Sequence, residues 1–277
     1  MNASENDLRP LVSICIPVYN GEKYIKECIN SALTQDFENF ELLVIDNCSS
    51  DSTALIVNNI QDKRIRYIKN DNNIGSINNF NKCIELSNGN YFVLLPHDDL
   101  LLPNSIKKFV DVLVDSEIGL VYSTINIIDD MGQLLSTKSN HSQDKLFSCE
   151  EAVKDIIDYF VPIQLAMVRT KIIKKMAGFD SNYGLFCDVQ LWLKVIFDGW
   201  KTFYFNTPLS CHRIHSEQGQ IAFINSDITI IKKHWSSNLN QSFWKKNSYN
   251  NFLLNLIIFI SRELNIKSFE NKLINDL

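Results

Sequence analysis

The stretch from Leu11 to Val18 reads LVSICIPV, a short β-branched run bounded by Pro17 and Gly21, which predicts a buried strand feeding a turn. After it Tyr24, Ile25, Cys28, Ile29 and Ala32 recur at helical spacing, and Phe40–Ile45 (FELLVI) returns to the buried-strand pattern. Together these make a βαβ unit. The alternation continues with a helix near Ser52–Ile60, a strand at Arg64–Ile68, a helix near Ile77–Leu86 and the strand Tyr91–Leu95. Strands alternating with helices imply an α/β fold with a mostly parallel sheet covered on both faces. In such sheets ligands bind beyond the carboxyl ends of the strands. Polar residues gather at those ends here: Asn20 and Glu22, then Asp46 and Asn47, then His97, Asp98 and Asp99.

Further along, the pattern predicts a helix at Asn104–Asp115, a strand at Gly119–Ile128 and a polar loop over Asp129–Ser148 that reads as a lid or acceptor-specific insertion. A helix around Glu150–Tyr159, a strand near Gln164–Arg169, and helices near Lys171–Met176 and Asp188–Phe197 follow. From about Ser226 the chain reads as two helices containing Trp235, Trp244 and the apolar run Phe252–Ile260. The expected organisation is a tail over residues 1–10, a domain over 11–225 with halves meeting near residue 100, and a helical extension over 226–277. No internal repeat or low-complexity tract is visible.

Composition narrows the function classes. Hydrophobic residues at 45% and charged residues at 21% fit a globular chain of 277 residues with a sizeable core. A net charge of −5 offers no broad cationic surface, so nucleic acid is not an expected partner. The seven cysteines (Cys15, Cys28, Cys48, Cys83, Cys149, Cys187, Cys211) form no C-x-x-C pair and read as reduced thiols of a cytoplasmic protein. MNASENDLRP has no apolar core of a secretory signal. Phe252–Ile260, interrupted by Asn255, falls short of the about 20 residues that a spanning helix needs.

The candidate chemistry begins with Asp98 and Asp99, which follow four apolar strand residues and so lie at the sheet's carboxyl edge. Adjacent carboxylates repel, and a hard divalent cation relieves that while bridging to phosphates. An acid there can equally cap the following helix or solvate a loop. Asp46, Asn47, Ser49, Ser50, Asp51 and Thr53 form a second polar turn, where Ser50 or Asp51 can cap a helix and Asp46 or Asn47 can pair with a base or a ribose hydroxyl.

The strings VSICIPVYNGEKYIKECINSALTQ, LLVIDNCSSDST and NDNNIGSINNFNKCIELSNGNYFVLLPHDD, in that order, resemble the successive motifs of the family 2 glycosyltransferases with the GT-A fold, over about residues 11–215. The resemblance implies a Rossmann-like nucleotide-diphospho-sugar transferase that uses a divalent cation (Mn²⁺ or Mg²⁺). It places Pro17, Tyr19 and Glu22 beside the base and ribose, Asp46 and Asn47 on the base-contacting pair, and Asn73 and Gly75 on a loop approaching the nucleotide. Asn47 departs from the family's Asp-Asp and leaves uridine, thymidine and guanosine carriers open. The metal motif Asp-x-Asp-Asp lacks its first acid, since Pro96 and His97 precede the pair. Asp99 then becomes the main metal ligand and Asp98 its ribose or metal helper, with His97 structural or acceptor-side. Asp188 opens DVQLWLKV, similar to the family's Glu-Asp-x-x-Leu-Trp-Leu, which implies a catalytic base; alone it would be an ordinary first-turn helix acid. Cys187 stands where the family often has Glu. HRIHSEQ (His212–Gln218) resembles a Tyr-Arg-x-His loop closing over the diphosphate, with His212 in place of Tyr and with Arg213 and His215 on phosphate or metal.

These readings predict a metal-dependent inverting transfer from a nucleoside-diphosphate sugar to a saccharide acceptor, lipid-linked or free, in surface-polysaccharide synthesis. The C-terminal helices, with Lys232, Lys233, Lys245 and Lys246, pack on the core, form a homodimer contact or rest on the inner leaflet of the membrane. A nucleotidyltransferase would want a Gly-rich basic loop after the first strand, where PVYNGEKY has one Gly and one Lys. A catalytically silent binding relative would lack the acid pair or the base.

Overall fold

The computed structural model describes residues 11–159 and 166–215. The chain falls into two units, Met1–Gly219 and Gln220–Leu277, and the described residues all belong to the first. The expected C-terminal helices with Trp235, Trp244 and Phe252–Ile260, the tail over 1–10, the boundary at 225 and Gln164 lie outside the described residues.

The amino-terminal half follows the hydrophobic pattern closely. Strands β1 (Val12–Val18) and β2 (Phe40–Asp46) are buried at every position, as parallel strands covered on both faces must be. Two polar residues inside them satisfy each other: the Ser13 hydroxyl donates to Glu41 at 2.6 Å, and the Asn88 amide and Arg66 guanidinium each donate to Glu41 at 2.7 Å. Burial alone would raise the Glu41 carboxyl, yet these bonds hold it below its ordinary value. Helix α1 (Ile25–Leu33) buries Ile25, Cys28, Ile29 and Ala32, the stripe its spacing predicts. Helix α2 (Thr53–Asn58), β3 (Ile65–Lys69), α3 (Ser76–Leu86) and β4 (Tyr91–Leu94) complete a parallel sheet in the order β3-β2-β1-β4. That order is half of a doubly wound fold.

The second half departs from the expected pattern. The elements in chain order are β5 (Leu100–Leu101), α4 (Ser105–Leu113), β6 (Ile118–Ile128), β7 (Leu134–Lys138), β8 (Lys145–Phe147), α5 (Cys149–Tyr159), β9 (Ala166–Arg169), α6 (Thr170–Lys175), a 3-10 helix (Ser181–Phe186), α7 (Cys187–Phe197) and β10 (Lys201–Arg213). The sheet continues from β4 through β9, β6 and β10 to β5. Strand β9 lies antiparallel between β4 and β6, so the two parallel blocks share one direction through a reversed strand. The loop expected over Asp129–Ser148 instead contains two strands, β7 pairing with β6 and β8 with β10. Strand β10, the longest, and the short β5 have no counterpart among the expected elements. Asn206, Thr207 and Pro208 interrupt the apolar pattern of β10, and its register with β6 shifts there, so the strand accommodates them as a bulge.

None of the seven cysteines is in a disulfide. Among the described residues no helix is long and apolar enough to cross a membrane.

Candidate active site

After β4 the chain turns through Pro96 and His97 into the acid pair, with the Asp99 amide donating to the Pro96 carbonyl at 3.1 Å. Strand β5 then pairs antiparallel with β10, Leu100 opposite Cys211. Extending that register sets His212 and Arg213 beside Asp99 and Asp98. Asp99 is 1% exposed and accepts from the Arg213 amide at 2.9 Å, with His212 Nδ1 at 3.1 Å from the same oxygen. Asp98 Oδ2 lies 3.1 Å from His215 Nε2.

Burial raises Asp99 to about 6, and the charge of Asp98 adds to the rise, while the bonds from His212 and the Arg213 amide oppose it. For His212 burial works the other way, but the hydrogen bond and charge of Asp99 outweigh it and lift the imidazole above its ordinary value. Cys28, on the buried face of α1, is pushed up by burial and then by both acids.

Arg213 holds this arrangement from below. Its side chain is 1% exposed. Nε donates to the Asp98 carbonyl at 2.9 Å, Nη1 to the Asp129 and Asp130 carbonyls at 3.2 and 3.4 Å, and Nη2 to Glu27 at 2.7 Å. The guanidinium also lies 4.7 Å from the Tyr24 ring centroid. These bonds engage the guanidinium with backbone carbonyls and Glu27, where the family resemblance implies a phosphate or metal contact. His97 has a structural place as well. It hydrogen-bonds the Pro17 backbone, burial lowers its imidazole, and it packs so closely on Gly21 that an added Cβ there would come within 2.6 Å of the ring.

A hard divalent cation suits this donor set. Among the described residues no group of three or more His, Cys, Asp or Glu is arranged to hold a metal ion. Two carboxylates side by side, one of them buried and raised, still supply oxygen ligands, and Mg²⁺-type sites draw the rest from substrate phosphates and water. His215 and His212 sit on the acids, so they orient the carboxylates as hydrogen-bond partners.

The β1–α1 and β2–α2 loops are stitched together at the same edge. The Asn20, Gly21 and Glu22 amides donate to Ser49, Thr53 and Asp51, each at 2.9 Å, and Glu22 in turn accepts from the Ser52 amide at 2.9 Å. Asp51 thus braces the loop and also accepts from the Thr53 amide, while no side chain caps α2 from its N-cap residue Ser52. Asp46 is fully buried. Its oxygens accept from the Ser49 amide at 2.7 Å and the Tyr67 hydroxyl at 2.5 Å, and burial with this bond raises the Tyr67 phenol. Asn47 donates to Asn73 at 2.8 Å and accepts from Asn70 at 3.1 Å and the Ile74 amide at 2.9 Å. Both side chains therefore shape the rim, and Asn73 and Gly75 are tied to it. Gly75 has φ +83° and ψ 157°, a conformation that only glycine adopts readily. Pro17 is buried inside β1, whereas Tyr19, 47% exposed, is the open aromatic at this edge.

Asp188 is 7% exposed in the first turn of α7 and accepts from the Val189 amide at 2.7 Å. Helix α7 ends next to the start of β10, which pairs with the start of β6. Its 11 residues span roughly 16 Å. The helix packs against α5, the 3-10 helix and β6. Glu27 and Tyr24 are site residues that pattern reading does not single out, because the contacts that bring them to Arg213 and His215 cross more than a hundred residues of chain.

The glycosyl transferase family 2 model matches residues 13–176, more than half of the chain, and the chain belongs to that family. It is a glycosyltransferase. An uncharacterized glycosyltransferase of Rickettsia typhi is 28% identical over 96% of this chain and 85% of its own length, and one of Methanocaldococcus jannaschii is 29% identical over 91% and 88%. The chain also resembles Staphylococcus aureus TarS in complex with UDP-GlcNAc, with a TM-score of 0.66 at 18% identity over 90% of this chain and 72% of that one. The mannosyltransferase PcManGT of Pyrobaculum calidifontis, in complex with GDP-Man and Mn²⁺, gives 0.61 at 16% identity over 91% and 70%. The fold is the GT-A fold. Asp188, His212, Arg213 and His215 lie beyond the stretch that the family model matches.

Proposed function

We propose that the chain is a metal-dependent, inverting glycosyltransferase that moves a sugar from a nucleoside-diphosphate sugar to an acceptor hydroxyl. The observation that carries this reading is the Asp98–Asp99 pair at the carboxyl edge, with Asp99 buried and the pair held by His212, Arg213 and His215. The nucleotide-sugar complexes of TarS and PcManGT, the latter with Mn²⁺, support the same donor class. Asp99 and Asp98 would hold the cation, which when bound neutralises charge on the departing diphosphate. Tyr19 and Glu22 border the nucleoside, and the rim built by Asp46, Asn47, Asn73 and Gly75 shapes its pocket.

Asp188 takes the proton of the acceptor hydroxyl. The hydroxyl oxygen forms the new bond to the anomeric carbon as the bond to the diphosphate oxygen breaks on the opposite face, so the configuration inverts. General-base assistance is worth about 10²–10⁴-fold. Asp188→Asn should keep donor affinity and lose transfer by about that factor; turnover at the wild-type rate would sink the assignment. Chelation by EDTA should abolish transfer, and Mn²⁺ should restore it. Residues 11–225 form the catalytic domain in this reading and 226–277 an extension to it. The acceptor is a saccharide of a surface polysaccharide, lipid-linked at the inner face of the membrane. Thermal-shift screening of UDP-, dTDP- and GDP-sugars with Mn²⁺ identifies the donor, since a ligand of the native state raises its stability.

A further inference from the structure

The Tyr24 hydroxyl is buried without a hydrogen-bond partner among the described residues, in a residue only 5% exposed. Buried hydroxyls are nearly always paired, and an orphan calls for a missing partner. Its surroundings say what kind. The ring lies 4.9 Å from that of His215, whose Nε2 is on Asp98, and the Arg213 guanidinium and Lys23 ammonium stand 4.7 and 4.9 Å from its centroid. Lys23 is half exposed and its pairing with Asp130 is loose, at 3.6 Å. Three groups able to carry positive charge thus gather round the ring that bears this buried O–H, at the edge of the acid pair. Asp98, Glu27 and Asp130 are acids of the same neighbourhood, and each is already paired with one of these groups.

We propose that Tyr24 is a donor-binding residue whose hydroxyl donates a hydrogen bond to an anionic oxygen of the nucleotide's diphosphate. The proposal rests on the nucleotide-sugar reading above. The ring's contacts with Arg213 and His215 position the hydroxyl before any ligand arrives, and the bond is made only when the diphosphate is present.

Tyr24→Phe removes the hydroxyl and keeps the ring. We would measure urea denaturation of both proteins without ligand, then titrate each calorimetrically with UDP, dTDP and GDP in Mn²⁺. The orphan assignment requires that the free variant be as stable as wild type or more so. Affinity for whichever diphosphate wild type binds should fall about tenfold, which is about 1.4 kcal/mol. Equal affinity of the two proteins would overturn the assignment of Tyr24 and leave the nucleotide-sugar reading standing. A variant clearly less stable without ligand would overturn it too, because the hydroxyl would then have a partner in the free protein. Failure of wild type to bind any of the three diphosphates would overturn the nucleotide-sugar reading, and this proposal with it.

Discussion

Arg213 offers the sharpest test of what holds the acid pair in place. Its guanidinium binds the Asp98 carbonyl from Nε and shares Nη1 between the Asp129 and Asp130 carbonyls, all in a site where the side chain is 1% exposed. The shared bond is the weaker, so the set amounts to about two charge-assisted bonds, roughly 1.5–3 kcal/mol each. Lysine keeps the charge but has no planar fork, and it can reach only one of these acceptors. Arg213→Lys should therefore lose about 1.5–3 kcal/mol of stability, or roughly 3–12 °C in Tm for a domain of this size. The ion pair to Glu27 contributes little by comparison. Glu27 is 54% exposed, and pairs with one solvated partner are typically worth less than about 1 kcal/mol.

Urea denaturation of Arg213→Lys, Glu27→Gln and the double variant, in EDTA so that no cation contributes, separates the two contributions. The coupling between the two positions should come out below about 1 kcal/mol. If Arg213→Lys costs no more than Glu27→Gln, the bonds to backbone carbonyls are not what holds the loop, and the acid pair must owe its position to something else. In the metal-dependent reading, the same substitution should weaken Mn²⁺-dependent turnover, because the Asp98 carbonyl that it releases precedes the proposed ligand Asp99.

Gly75→Ala tests the nucleotide rim. No atom lies within 4 Å of the added Cβ, so its cost is conformational, about 1–3 kcal/mol for alanine at φ +83° and ψ 157°; a loss under about 0.5 kcal/mol in urea would refute that. The Asp99–His212 pair sets a pH dependence for the metal-free protein. Both groups have folded-state pKa values above their ordinary ones, so the folded chain binds their protons more tightly than the unfolded chain does. Their stabilisation is fully present below about pH 4, fades as pH rises through the Asp99 value near 6, and is gone once His212 also deprotonates. In EDTA, wild type minus Asp99→Asn stability should fall between about pH 5 and 8; a flat or rising difference would overturn the burial argument.

What is legible in the sequence is local. The β1–α1–β2 stripe of Ile14, Ile16, Ile25, Ile29, Leu42 and Val44 is apolar, regular and buried, so its elements follow from periodicity alone. The acid pair is legible too, because it closely follows an apolar strand, with only Pro96 and His97 after Leu95. Strand β10 is not: Asn206, Thr207 and Pro208 look like a turn, and only pairing with β6 and β5 carries an extended chain through them. That one omission hides the site's second layer, since His212 and Arg213 meet Asp99 and Asp98 only through the β5–β10 register. It also changes how the motif's missing acid is compensated. With Pro96 where a first carboxylate would stand, the sequence pattern assigns the diphosphate's charge to Arg213 and His215. In the structure the guanidinium is turned inward onto backbone carbonyls, and His215 lies on Asp98. The Pro96 carbonyl accepts from the Asp99 amide and the Cys28 thiol, so this position tightens the loop and supplies no charge. In the metal-dependent reading, the cation held by two carboxylates then carries the electrostatic load at the leaving group. That is why the position of Asp98 and Asp99, and hence the clamp that fixes it, should govern turnover more than any cation of the chain itself.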